Sequence, residues 1–180
     1  MDALVVVESV FGNTRRIAEA VAAGLGQRTH VRVVDVAEAV DAEAAAVRSA
    51  DLLVVGGPTH AFGMTRASTR RSAAEQAGGG AVPAEVGLRE WLAGLPPVEG
   101  RRIAAAFDTR ADRPRLPGSA AAAALRRLRR LGFERVCGPE SFRVSGTKGP
   151  LVDGEAERAR LWGAALLARV TAREAERSGR

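Results

Sequence analysis

The sequence predicts an α/β fold, a parallel sheet wrapped by helices on both faces, and three observations predict it. The runs ALVVV at residues 3–7 and DLLVVGG at 51–57 are apolar without alternation, the mark of strands buried on both faces. Between such runs lie stretches with apolar residues at helical spacing; Ile17, Ala18, Val21 and Leu25 are the first set. The two kinds of segment alternate as β-α-β-α-β-α-β-α-β-α, which calls for crossover connections and parallel neighbours.

In chain order, the strand at 3–7 leads to a helix over 14–26. VRVVDV, 31–36, reads as the second strand and 40–49 as a short helix. The strand at 51–57 is stopped by glycine, and RIAAAFD, 102–108, is the fourth strand. An Ala-rich helix covers 119–131, a strand broken around Gly138-Pro139 covers 134–144, and a last helix covers 153–176. Leu88, Trp91, Leu92 and Leu95 share one helical stripe, which assigns Trp91 to the core. Trp162, near Leu161, Leu166 and Leu167, reads as structural for the same reason. Residues 65–85, polar, basic and ending in three glycines, read as an inserted surface loop bordering a site. Residues 1–180 read as a single domain.

A chain of 180 residues with 46% apolar content can bury a substantial core. No apolar run reaches the roughly 18 residues that span a bilayer. MDALVVVES reads as a buried first strand rather than a signal peptide, so a cytoplasmic protein is expected. The lone Cys137 excludes an internal disulfide and a multi-cysteine metal site. His30 and His60 lie far apart in the chain, and no metal is expected. The formal charge is +6, and Lys148 is the only lysine among 27 basic residues. Such a balance attracts anions, but no nucleic-acid-binding motif accompanies it. RRLRR, 126–130, interleaved with Leu125, Leu128 and Leu131, reads as the solvated face of an amphipathic helix.

The most informative stretch is SVFGNT, residues 9–14, between the first strand and the first helix. Ligands of open α/β sheets bind beyond the carboxyl ends of the strands. Ser9 and Thr14 offer hydroxyls, and Gly12 permits a tight turn. A helix start presents unbonded N–H groups and a positive dipole, so it can hold a phosphate without a lysine. The same residues can also serve as plain helix caps. Neither G-x-x-x-x-G-K-S/T nor G-x-G-x-x-G follows a strand. Strand three ends VVGGP without an aspartate, which excludes a phosphoacceptor receiver domain.

SVFGNT resembles the phosphate loop of the flavodoxins, S/T-x-T-G-x-T, in its flanking strand and helix as well as its residues. It departs at Phe11, where many flavodoxins have threonine and quinone-reducing relatives carry an aromatic. GGPTHAFGM, 56–64, is similar to the family's G-x-P-T loop beside the isoalloxazine. FDTRADRPR, 107–115, falls where the family has its third flavin loop. The resemblance implies a three-layer flavodoxin-like fold with a five-stranded parallel sheet in the order 2-1-3-4-5. It implies FMN bound noncovalently, with the phosphate at Ser9, Val10, Phe11, Gly12, Asn13 and Thr14. The ring would lie against Pro58, Thr59, His60, Phe62 and Gly63, with Asp108 and Thr109 at its polar edge. Arg110 would stand near N1–C2=O, where positive charge stabilises reduced flavin.

The chain has no tyrosine, so the stacking candidates are Phe62, His60 and Phe11. The implied activity is electron transfer through FMN to a redox partner protein or a small acceptor such as a quinone. That makes the protein an electron-transfer flavoprotein or an NAD(P)H/quinone-type oxidoreductase. No side chain is assigned as acid, base or nucleophile. The alternative is a basic flavodoxin-fold binding module without flavin, contacting nucleic acid or an acidic protein. Lys148, in SGTKGP, reads as an exposed loop residue.

Overall fold

The computed structural model describes residues 1–26, 29–42, 44–60, 63–76, 85–114 and 117–179. Strand β1 (Asp2–Val7) leads into α1 (Asn13–Leu25), β2 (His30–Asp35), α2 (Val36–Ala42) and α3 (Ala44–Ser49). Then come β3 (Leu52–His60), β4 (Gly63–Met64), α4 (Ala67–Gln76) and α5 (Leu88–Gly94). The chain closes with β5 (Arg102–Ala111), α6 (Ala120–Arg130), β6 (Phe133–Arg135), β7 (Glu140–Val144) and α7 (Glu155–Ser178).

The sheet has seven strands in the order β2-β1-β3-β5-β6, with β4 on β3 and β7 on β5. All pairings are parallel except the short β3–β4 hairpin. This corrects the five-strand expectation in two places. The hairpin adds β4, and the last strand is divided, with β6 pairing the start of β5 and β7 its end. The interruption includes Pro139, which has no N–H to give a ladder.

Two apolar layers flank the sheet. One packs Leu4, Val6, Leu53 and Val55 against α5 and α6, with Trp91 and Leu92 buried there. The other packs Val5, Val7, Leu52 and Val54 against α1 and α7. Phe107, Phe142 and Trp162 meet edge-to-face in the second layer, centroids about 6 Å apart. Both tryptophans are therefore structural. Among the described residues no helix is long and apolar enough to cross a membrane.

The chain turns helical at Val36, earlier than the expected 40, because the Asp35 carboxylate accepts the Ala37 N–H at 3.0 Å and caps α2. Residues 67–76 of the expected loop are the helix α4, whose Ala73 and Ala74 are buried; 77–84 lie outside the described residues. Arg126, Arg129 and Arg130 of α6 are exposed as expected. Arg127 instead donates to the Leu92 and Ala93 carbonyls at the end of α5, a site that favours a cation.

Helices α1 and α7 approach closely through glycine. A Cβ built on Gly163 would lie 2.2 Å from the Val21 carbonyl oxygen, and one on Gly24 would lie 2.0 Å from that of Arg160. Alanine at a helical glycine gains about 1 kcal/mol of propensity. Overpacking against backbone costs about 1–3 kcal/mol, and here the obstacle cannot rotate away. Gly163→Ala is expected to lower the urea midpoint followed by circular dichroism; an unchanged or higher midpoint would contradict this packing.

Candidate functional site

A cleft of about 380 Å³ opens at the carboxyl ends of β1, β3, β5 and β7, within the roughly 300–1,000 Å³ of small-molecule sites. Its floor is the loop between β1 and α1. Gly12 adopts φ 81°, and α1 begins there without a side-chain cap. The first helical N–H to find a partner is that of Arg15, which reaches Ser9 Oγ at 3.2 Å; that of Arg16 bonds the Gly12 carbonyl. Among the described residues the backbone N–H groups of 10–14 donate no hydrogen bond.

The expected site residues divide into three groups. Val10, Phe11, Asn13, Thr14, Pro58, Thr59, His60, Thr109 and Arg110 all line the cleft. Ser9, Gly12, Gly63 and Asp108 do not. Ser9 and Gly12 shape the turn, and Gly63 pairs with His60 in the hairpin. Phe62 lies outside the described residues.

Several polar side chains are engaged by the protein itself. Thr14 Oγ1 and Thr109 Oγ1 share a buried hydrogen bond of 2.8 Å. Whichever hydroxyl donates in that pair, the other keeps its own proton. Asp108, expected at the polar edge of a ring, is wholly buried, and its Oδ1 has no hydrogen-bond partner among the described residues. Its Oδ2 accepts from Thr59 Oγ1, Ser119 Oγ and the Ala121 N–H. Thr59 Oγ1 in turn accepts the Ala120 N–H. The pair secures the positive end of α6 to β3 and β5, where a carboxylate is favourable. Burial holds the pKa of the cleft-lining His60 below its ordinary value, so the ring is neutral at pH 7.

Helix α4 forms one wall, where a loop was expected. Ser68, Thr69, Ser72, Ala73 and Gln76 face the cleft. Ser68, Ser72 and Gln76 recur every four residues, and that polar stripe is the signal that could have found them. Thr69 is used locally, its Oγ1 accepting the Arg66 N–H and donating to the Arg66 carbonyl. The loop after β7 closes the remaining side with Gly146 and Thr147. Lys148 is exposed but engaged: Nζ donates to the Gln76 carbonyl at 2.6 Å, and its own carbonyl accepts from Asn13 Nδ2 at 2.8 Å.

Glu8 anchors the floor and this wall. It is 4% exposed. Oε1 accepts from Thr65 Oγ1 at 2.5 Å, and Oε2 accepts the first N–H of α5, that of Leu88, at 2.7 Å. Buried Arg70 of α4 reaches Thr65 Oγ1, Glu90 Oε2 and the Glu85 carbonyl. Burial pushes the Glu8 pKa up; the hydrogen bonds from Thr65 and Leu88 and the Arg70 charge pull it partly back. No cluster of metal-ligating side chains occurs among the described residues.

The fold recurs in solved structures. A flavodoxin from the domain Archaea superposes with a TM-score of 0.64 at 20% identity, covering 95% of this chain and 99% of its own. Flavodoxin 1 from Bacillus cereus gives 0.65 at 15% identity, covering 93% and 98%. A flavodoxin, WrbA-like protein from Agrobacterium tumefaciens gives 0.56 at 20% identity, covering 94% and 97%. No protein-family model and no curated protein matches the chain. At these identities the likeness establishes the fold: the chain is a flavodoxin-like α/β protein.

The raised Glu8 pKa has a consequence for stability. The native carboxyl holds its proton more tightly than the unfolded one, whose pKa lies near 4.5. Raising the pH from 4.5 through the folded pKa therefore removes stability. Glu8→Gln does not titrate. The melting temperature of the variant minus that of wild type is expected to grow from pH 4.5 toward neutrality. A constant difference would mean that Glu8 titrates alike in both states.

Proposed function

We propose that the chain binds FMN noncovalently in this cleft and transfers electrons through it, acting as one flavin-binding domain. The observation that carries the reading is the row of unbonded N–H groups at residues 10–14, at the uncapped start of α1. Unsatisfied donors at a helix N-terminus suit a phosphate. The remaining hydroxyl proton of the Thr14–Thr109 pair adds a donor. The other surfaces also fit. Phe11, Pro58 and His60 supply flat or apolar contact for a ring. Ser68, Ser72 and Gln76 can bond a polyhydroxylated chain.

FMN would supply the redox chemistry. The protein's part is to bind, orient and tune. With His60 neutral, Arg110 is the cationic side chain that lines the cleft among the described residues. Its charge favours the reduced, more negative state. The acceptor on this reading is a redox partner protein or a small molecule such as a quinone. A flavin absorption band in the purified protein, with FMN released on heating, is the direct test; protein that stays colourless and takes up no added FMN would refute the reading.

Thr14→Ala is expected to weaken FMN binding about 10- to 150-fold, the 1.5–3 kcal/mol of a charge-assisted hydrogen bond. Riboflavin, which has no phosphate, should bind nearly unchanged, and Thr14→Ser should keep most FMN affinity. Equal losses for both ligands would place the phosphate elsewhere.

Arg110→Ala is expected to lower the midpoint potential of bound FMN. A charge pair roughly 4 Å apart at an effective dielectric of about 20 is worth at most about 4 kcal/mol, and partial exposure reduces that. An unchanged or higher potential in a redox titration would show that Arg110 does not face the ring.

A further inference from the structure

We infer that the rim of the cleft is a docking face for an acidic electron-carrier protein, an inference that rests on the FMN reading. A flavin mononucleotide takes up most of a cleft of about 380 Å³. Whatever exchanges electrons with it must then approach from the rim, and the rim is cationic. Arg16 in the first turn of α1, Arg66 ahead of α4, Arg113 after β5 and Lys148 after β7 are all exposed. The acidic groups beside them are fewer. Asp112 lies 3.9 Å from Arg113, Glu19 pairs with Arg15 at 3.0 Å, and Glu75 stands on α4.

The strand edge adds an independent observation. Arg110 on β5 and Arg143 on β7 are register partners in a parallel pairing, so their side chains leave the same face side by side. Like charges directly opposed destabilise a sheet. Arg143 Nη1 is also buried without a hydrogen-bond partner among the described residues. Burying an unsatisfied donor is unfavourable in its own right. Arg110 lines the cleft, and positive charge around a cleft steers and orients oppositely charged partners.

The spread of the cations decides the kind of partner. They come from four separate segments, the first turn of α1 and the stretches after β4, β5 and β7, more than one small molecule engages together. A protein face, which covers on the order of 800 Å² per partner, can meet them together.

The test uses an acidic [2Fe–2S] ferredoxin and, as the opposite charge, cytochrome c. Binding is measured by calorimetry at low and high salt on the flavin-free and the FMN-loaded protein. Oxidation of reduced ferredoxin by the FMN-loaded protein is followed alongside. Ferredoxin is expected to bind at low salt and to weaken at least tenfold at high salt. The double charge reversal R66E/R113E is expected to weaken it at least tenfold, with the oxidation rate falling in parallel and FMN affinity unchanged. R66Q/R113Q should show a smaller loss in the same direction and serves if the reversal misfolds. Cytochrome c is expected not to bind.

Equal weak binding of both carriers, or an R66E/R113E protein that binds ferredoxin like wild type, would overturn the docking face. So would FMN-loaded protein whose R66E/R113E form loses only the reduction of a small anionic acceptor, anthraquinone-2-sulfonate; that result would assign the rim to small molecules. Failure of FMN to bind while ferredoxin still binds would refute the flavin reading and leave the acidic-protein face standing.

Discussion

The buried carboxylate of Glu8 is the contact on which the cleft depends. Glu8 directly follows strand β1, which lies between β2 and β3, and stands at the start of the loop that leads to α1. Its own N–H bonds the Gly56 carbonyl of β3. Its two oxygens then take the Thr65 hydroxyl and the first N–H of α5. One side chain thus sets the floor of the cleft relative to α4 and α5. A helix N-terminus, a hydroxyl and the buried Arg70 offset part of the cost of ionising a carboxyl this deep. Gly87 shows how tightly the cluster is built: a Cβ there would lie 2.9 Å from Glu8 Oε2 and 2.3 Å from Arg70 Nη1.

Around this anchor, side chains and backbone divide the work in a way residue types alone do not reveal. The hydroxyls and the carboxylate that look ligand-directed in sequence are largely used to hold elements together. Thr14 joins Thr109, Thr59 joins Asp108, and Ser9 receives the Arg15 N–H. The donors left over are backbone N–H groups, which are stiff, carry no entropy cost of ordering a side chain and point along the positive end of α1. Such a floor suits an anion because it is organised before the ligand arrives. The same economy explains why the single lysine is not in the loop: Lys148 braces α4 and the first loop from the far side.

Charge separates this protein's surface from its interior. The buried Arg70 meets Glu90, and the half-buried Arg158 lies over the Phe142 ring at 4.3 Å beside Glu155. Arg16, Arg66 and Arg113 stand exposed at the rim, and the chain as a whole carries a net charge of +6. A cationic cleft favours extra electrons on whatever it holds and favours negative partners outside. On the proposed FMN reading both effects would favour acceptance of electrons from an acidic donor.

By itself the sequence determined the layered α/β architecture, because a strand buried on both faces and a helix buried on one leave different apolar periods. Residues 3–7, 51–57 and the 88–95 stripe were legible for that reason, and the first loop was legible because glycine, hydroxyl and helix start fall together at 9–14. Tertiary structure alone decided the rest. It turned Asp108 onto α6, paired Thr14 with Thr109 across 95 residues of chain, and placed Arg110 beside Arg143. It also made 67–76 a helix, where the polar Ser, Thr and Arg side chains carry little apolar signal and only Ala73, Ala74 and the buried Arg70 mark the inner face. Local patterns record which face of an element is buried; they do not record which distant group meets a polar side chain, since that pairing exists only once the strands are in register.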